Sequence, residues 1–231
     1  MTRTELLKIA KPILFNTEMV RAILEGRKTV TRRVVKLPSH VVPQDNELYT
    51  LYAEGTCYEN QHLEQLTQYI PKTYQVNDIL SVRETYCWCP CWDCGMDTEE
   101  HNCCYEPENK RFNQKKDEWG CYCYKASCED NEYPSVDTWH PSIHMPKDIA
   151  RIFLKVKDVR VERLQDITEK QAEREGFVDD VEYCVGNTAR GHFAELWDTT
   201  IDKKQIDIYG WSANPWVWVF EFERIEPDME V

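Results

Sequence analysis

Two periods of hydrophobic and polar residues run along this chain, and each change of period marks an element. Met19, Val20, Ile23 and Leu24 recur at helical spacing behind Asn16, a good N-cap residue, and ahead of Gly26, suited to the left-handed position past a helix end. This predicts a short helix from about Thr17 to Glu25. The β-branched run from Arg27 to Val35 then predicts a strand. A short strand is expected at Leu48 to Ala53, and the alternation from Asp78 to Thr85 is that of a half-buried strand. Regularity is expected to break in the Cys-rich stretch up to Trp139. It returns from Ile149 to Leu164, where Ile152, Leu154 and Val156 face one way. Thr168 and Gln171 form a capping box, Ile167 and Ala172 a hydrophobic staple, and Gly176 an end signal. A further helix is expected from about Thr188 to Trp197, and Pro215 to Ile225 reads as a strand. No repeat or Gly/Ser linker divides the chain. The expected architecture is therefore one α+β domain over residues 1–231, a small mixed β-barrel with short flanking helices and a Cys-rich insertion at about 87–139.

Composition changes this picture in one respect. Hydrophobic residues are 42% and charged residues 30% of the 231, ordinary globular usage that excludes a disordered chain. The opening residues lack a secretory pattern and no run of 18 apolar residues occurs, so neither a signal nor a membrane span is expected and the chain reads as cytoplasmic. A net charge of −13 excludes a protein that coats nucleic acid. The charge is unevenly spread, however. Residues 1–36 carry nine basic and three acidic side chains, while 87–139 carry five basic and twelve acidic ones together with nine of the eleven cysteines.

The basic segment contains Leu24-Glu25-Gly26-Arg27-Lys28-Thr29-Val30-Thr31-Arg32-Arg33. It is followed by an Asp-Ile-Leu-x-Val-Arg-Glu strand, by a strand leading into Leu164-Gln165-Asp166-Ile167-Thr168-Glu169, and by a terminal Trp-Val-Trp-Val-Phe-Glu-Phe strand. In this order the motifs resemble the ASCH family, which has a PUA-like β-barrel. The stretch from Pro141-Ser142-Ile143-His144-Met145-Pro146 through Leu164-Gln165-Asp166-Ile167 is similar in particular to the larger phage and prophage members. The resemblance covers residues 12–36, 76–86 and 139–225. It implies a cleft facing RNA or a modified nucleoside. Small bacterial members are amidohydrolases that remove the acetyl group of N4-acetylcytidine with a Lys, a Thr three residues later and a Glu on a later helix. Those positions match Lys28, Thr31 and Glu175, with Arg27, Thr29, Arg32 and Arg33 as ligand-binding neighbours.

The chemistry agrees in type. Amide hydrolysis needs a nucleophile, a proton acceptor and oxyanion donors. Lys28 can act as a base only if burial and the neighbouring arginines depress its pKa, whereas Glu175, near a helix C-terminus, pulls the other way. A regular strand from Lys28 would send Lys28 and Thr31 to opposite faces, so a turn or bulge at Lys28 is required. The alternatives are a solvated basic rim of Lys28, Arg32 and Arg33 with the threonines as ordinary strand residues, a non-catalytic RNA-binding module, and a phage-encoded interaction protein using its acidic insertion.

The cysteines form C-x-C-x-C-x₂-C at Cys87, Cys89, Cys91 and Cys94, followed by Cys103, Cys104, Cys121, Cys123 and Cys128. In a cytosolic chain such density favours zinc thiolates over disulfides. Cys91 and Cys94 are the expected knuckle of a structural zinc site, with Cys121 and Cys123 as the other pair, and Cys87, Cys89, Cys103, Cys104, His101 and His140 as further candidates. Reduced cysteines in a metal-free loop are the alternative. No organic cofactor is expected. Trp216 and Trp218 read as core, His144 as structural, and Trp88, Trp92 and Trp139 as possible base-stacking platforms.

Overall fold

The computed structural model describes residues 1–44, 48–53, 55–90, 111–114, 116–128, 138–178 and 188–228. The chain begins with α1 (Arg3–Ile9), β1 (Lys11–Leu14), α2 (Thr17–Leu24), β2 (Val30–Val34), β3 (Val41–Pro43), β4 (Tyr49–Ala53) and β5 (Thr56–Gln61). It continues through β6 (Ile79–Arg83), β7 (Tyr86–Pro90), β8 (Arg111–Asn113), β9 (Glu118–Tyr124) and β10 (Phe153–Arg163). It ends with α3 (Glu169–Arg174), α4 (Ala189–Thr200), α5 (Ile206–Tyr209) and β11 (Trp216–Ile225). Several sheets and a few short helices make this a mixed α+β protein, the class expected. Among the described residues no helix is long and apolar enough to cross a membrane.

The chain divides into two compact units. The first contains Met1–Gly26, Ile79–Leu154 and Arg224–Val231. Here β1 runs parallel to β6, with Ile13 opposite Val82. The side chain of Asn16 accepts from the Met19 amide at the start of α2, and Gly26 adopts φ +76° just beyond it. Leu6, Ala10 and Phe153 form one buried cluster.

The Cys-rich stretch departs from expectation. Instead of breaking the regular pattern, its described part forms an antiparallel sheet in the order β7-β9-β8. The physical reason is that cysteine packs as a small apolar side chain. Cys87 and Cys89 alternate with Tyr86 and Trp88, and Cys121 and Cys123 with Tyr122 and Tyr124, so both faces of the β7/β9 pair have something to bury. Tyr86 and Tyr124 pack with Met145, Ile149 and Ala150, which supply the core that the polar composition concealed. Nearby, the buried carboxylate of Glu84 receives two hydrogen bonds from Arg151, of 2.9 and 3.0 Å.

The second unit contains Arg27–Asp78 and Lys155–Glu223. Its strands run in the order β10-β11-β2, with β11 antiparallel to β2, and β3-β4-β5 form a separate meander. The capping box of Thr168 and Gln171 starts α3, and Gly176 at φ +103° follows its end. One face of the sheet packs on the helices: Val30, Val217 and Val219 are buried with Ala172, Phe193 and Trp197.

Candidate functional site

Three consecutive residues before β2 close the C-terminal end of α3. A helix leaves its last carbonyls without internal partners. The Thr29 amide donates to the Arg174 carbonyl at 2.8 Å, the Lys28 ammonium to the Glu175 carbonyl at 2.8 Å, and Arg27 Nη1 to the Gly176 carbonyl at 2.6 Å. The regular strand starts only at Val30, so Lys28 lies outside strand alternation. Its side chain folds back on its own strand, donating to the Val30 carbonyl at 2.8 Å.

Glu175 sits at the centre of the charged groups. Its Oε2 accepts from Lys28 Nζ at 2.7 Å and its Oε1 from Arg32 Nη1 at 3.0 Å, and all three side chains are buried. Arg32 reaches on to Glu162 at 3.1 Å, and its guanidinium lies 5.9 Å from the ring centre of Phe193. Glu162 accepts from Arg160, Arg160 donates to Glu221, and Glu221 accepts from Arg174, whose Nε also donates to Thr29 Oγ1. The network thus returns to the residue beside Lys28. Burial lowers the pKa of Lys28 below the ordinary lysine value, outweighing Glu175, which raises it; Arg33 and Arg32 lower it further. Glu221 is held below the usual carboxylate range, chiefly by its bond from Arg174.

Thr31 and Arg33 occupy the other face of β2. Thr31 lies opposite Phe220 and Arg33 opposite Trp218 on β11. Arg33 Nη1 donates to Thr31 Oγ1 at 2.8 Å, and Thr31 is only 1% exposed. Tyr74 meets Phe220 edge-on with ring centres 5.2 Å apart, and Lys72 Nζ lies 5.5 Å from the ring centre of Trp218. Burial lowers the pKa of Arg33 and raises that of Tyr74; Glu175 lies within electrostatic reach of Arg33 and opposes the first shift.

Of the residues singled out from sequence, Lys28, Glu175 and Arg32 are therefore in direct contact. Thr31 and Arg33 pair with each other, and Arg27 and Thr29 serve the helix end. Glu162, Arg160, Glu221, Arg174 and Tyr74 were not anticipated. The signal for two of them was present in Asp158, Arg160 and Glu162, which alternate along one strand with opposite charges.

The expected zinc knuckle, Cys91 and Cys94, lies outside the described residues, as do Cys103, Cys104, His101 and Trp92. Cys121 and Cys123 are buried on β9 directly across from Cys89 and Cys87. The sulfurs of Cys87, Cys89 and Cys123 all lie within 4.8 Å of one another, a buried group that could hold a metal ion. Hydrogen bonds from Cys123 and Cys89 lower the Cys87 pKa to about 5, while contacts with Cys121 first, and then with Cys87 and Cys89, push Cys123 up. His140 instead exchanges backbone bonds with Tyr86. Trp88 is not a stacking platform: it is 9% exposed, donates to Glu118 at 2.7 Å and meets Tyr122 edge-on. Trp139 packs against the four cysteines. Trp218 is buried as expected, while Trp216 keeps partial exposure beneath the Arg163 guanidinium, 4.4 Å from its ring centre. His144 is exposed, and its backbone carbonyl accepts from the Tyr86 hydroxyl. No protein-family model, curated protein or solved structure matches this chain.

Proposed function

We propose that this is an ASCH-type protein with a PUA-like barrel, which takes a modified cytidine, free or in RNA, and hydrolyses its N4-acetyl amide. In this reaction Thr31 Oγ attacks the acetyl carbonyl carbon and Lys28 accepts the hydroxyl proton. The C–N4 bond breaks, the leaving amine takes that proton from Lys28, and water then hydrolyses the acetyl-threonine ester to acetate. Glu175 orients Lys28, and the Arg33 guanidinium, already held beside Thr31 Oγ1, stabilises the charge that develops on the acetyl carbonyl oxygen. One observation carries this reading: Lys28 and Glu175, 147 residues apart in sequence, meet in a buried contact of 2.7 Å in which the lysine pKa is lowered.

The test is incubation of purified protein with N4-acetylcytidine and chromatography for cytidine and acetate. Turnover is expected, with a loss of roughly 10²-fold or more in Lys28→Ala and Thr31→Ala. No turnover, or undiminished turnover in both variants, removes the catalytic reading.

A second reading, a non-catalytic RNA-binding module, draws on a different aspect of the same lysine. Its three ammonium hydrogens already have three acceptors, the arrangement of a helix-end cation. In that case Thr31→Val leaves RNA affinity unchanged, while Arg27→Gln/Arg33→Gln flattens the log–log salt dependence by roughly 0.7 for each phosphate that the variant no longer neutralises. A salt slope equal to wild type in the double variant would sink it.

A further inference from the structure

The second concentration of chemistry is independent of the charged network. Cys87 and Cys89 on β7, and Cys121 and Cys123 on β9, occupy two adjacent rungs of an antiparallel ladder, Cys87 opposite Cys123 and Cys89 opposite Cys121. Side chains two apart on a strand share a face, so the four thiols form one patch, 0 to 4% exposed and covered by Trp139. None of the four is in a disulfide.

The sulfur spacing discriminates among the uses of such a patch. A disulfide requires an S–S separation of ~2.05 Å. A tetrahedral Zn²⁺ with Zn–S bonds of ~2.3 Å has sulfur–sulfur edges of ~3.8 Å. The observed Sγ separations are 3.7 Å for Cys87 and Cys89, and 3.9 Å for Cys121 and Cys123. Cys87, Cys89 and Cys123 already sit as three corners, mutually within 4.8 Å. Cys121 lies opposite Cys89 with its Sγ 3.9 Å from that of Cys123, and its side chain would have to turn toward the other three to take the fourth corner. Four thiolates suit zinc and leave no coordination position for a water, so the ion would be structural.

We propose that Cys87, Cys89, Cys121 and Cys123 form a structural zinc site that clamps β7 to β9. Binding displaces the thiol protons and transfers no electrons. The clamp joins strands separated by a long polar segment of sequence and so stabilises by shortening the open loop of the unfolded chain. It keeps Cys121 and Cys123 of the site expected from the sequence and puts Cys87 and Cys89 in the place of Cys91 and Cys94.

The experiment uses the full chain purified reduced and without added metal. Elemental analysis should find about one equivalent of zinc. Anaerobic replacement by Co²⁺ should produce thiolate-to-cobalt charge transfer with the visible bands of a tetrahedral ion. Cys91→Ser/Cys94→Ser and Cys57→Ser should keep the metal, while Cys87→Ser/Cys123→Ser should retain less than about a tenth of an equivalent. Should the last variant fail to fold, alkylation mapping on wild type decides: the four thiols must be protected as purified and become reactive on chelation. Retention of metal by Cys87→Ser/Cys123→Ser overturns the site. So does iron in place of zinc, a native Cys87–Cys123 or Cys89–Cys121 disulfide, or alkylation indifferent to chelator.

Discussion

Replacing Glu175 by Ala tests the charged network most sharply. Its carboxylate is the shared partner of two cations whose side chains are fully buried, so the substitution removes the 2.7 Å bond to Lys28 and the 3.0 Å bond to Arg32 together. Breaking a buried ion pair from one side costs about 3–5 kcal/mol, because a desolvated charge is left behind. Two features pull the value toward the lower end. Lys28 keeps the carbonyls of Val30 and residue 175, and Arg32 keeps Glu162 at 3.1 Å. Lys28 can also shed its proton. A loss of about 3 kcal/mol near neutral pH is expected. The pH dependence is diagnostic. Glu175 raises the Lys28 pKa while burial and the arginines lower it, so the variant's folded-state value falls further below the unfolded value of 10.5. Between those two values the unfolded variant binds more protons than the folded one, and its stability rises with pH. The deficit should therefore be largest on the acid side of the variant's lowered Lys28 value and shrink as pH rises toward the ordinary lysine value. Urea unfolding followed by far-ultraviolet circular dichroism and tryptophan fluorescence measures it. In a Lys28→Met background the same substitution should cost at least about 1 kcal/mol less. A deficit under about 1 kcal/mol, or one constant across pH, would refute the reasoning.

Two further outcomes follow from the first unit. Gly120→Ala would put a Cβ 2.5 Å from the Cys89 carbonyl oxygen and 2.5 Å from Trp88 Cζ2; overpacking of about 1–3 kcal/mol should lower Tm by several degrees in a thermal scan, and an unchanged Tm would contradict the β7/β9 register. Arg151→Met takes the guanidinium from the buried Glu84 carboxylate and should cost about 3–5 kcal/mol near neutral pH. Glu84→Gln removes the unpaired charge and should largely restore the stability; chemical denaturation that finds no such rescue would count against the pair.

What the sequence determined by itself was local. The Asn16 cap, the Thr168–Gln171 capping box, and the glycines at 26 and 176 act within a few residues, and α2, α3 and their ends lie where those signals put them, as do the strands at β4, β6, β10 and β11. The β7/β9 pair is not legible in the sequence because cysteine serves equally as a metal ligand and as a small apolar side chain, and because its core partners, Met145, Ile149 and Ala150, lie beyond the polar segment. Only the tertiary structure brought Lys28 and Arg32 onto one carboxylate, since that depends on α3 docking its C-terminal end against the start of β2. The same holds for the sulfur patch: C-x-C on one strand says that two thiols share a face, but not which strand faces it. Register decides that, and a one-residue slip would turn Cys121 and Cys123 to the opposite side of the sheet.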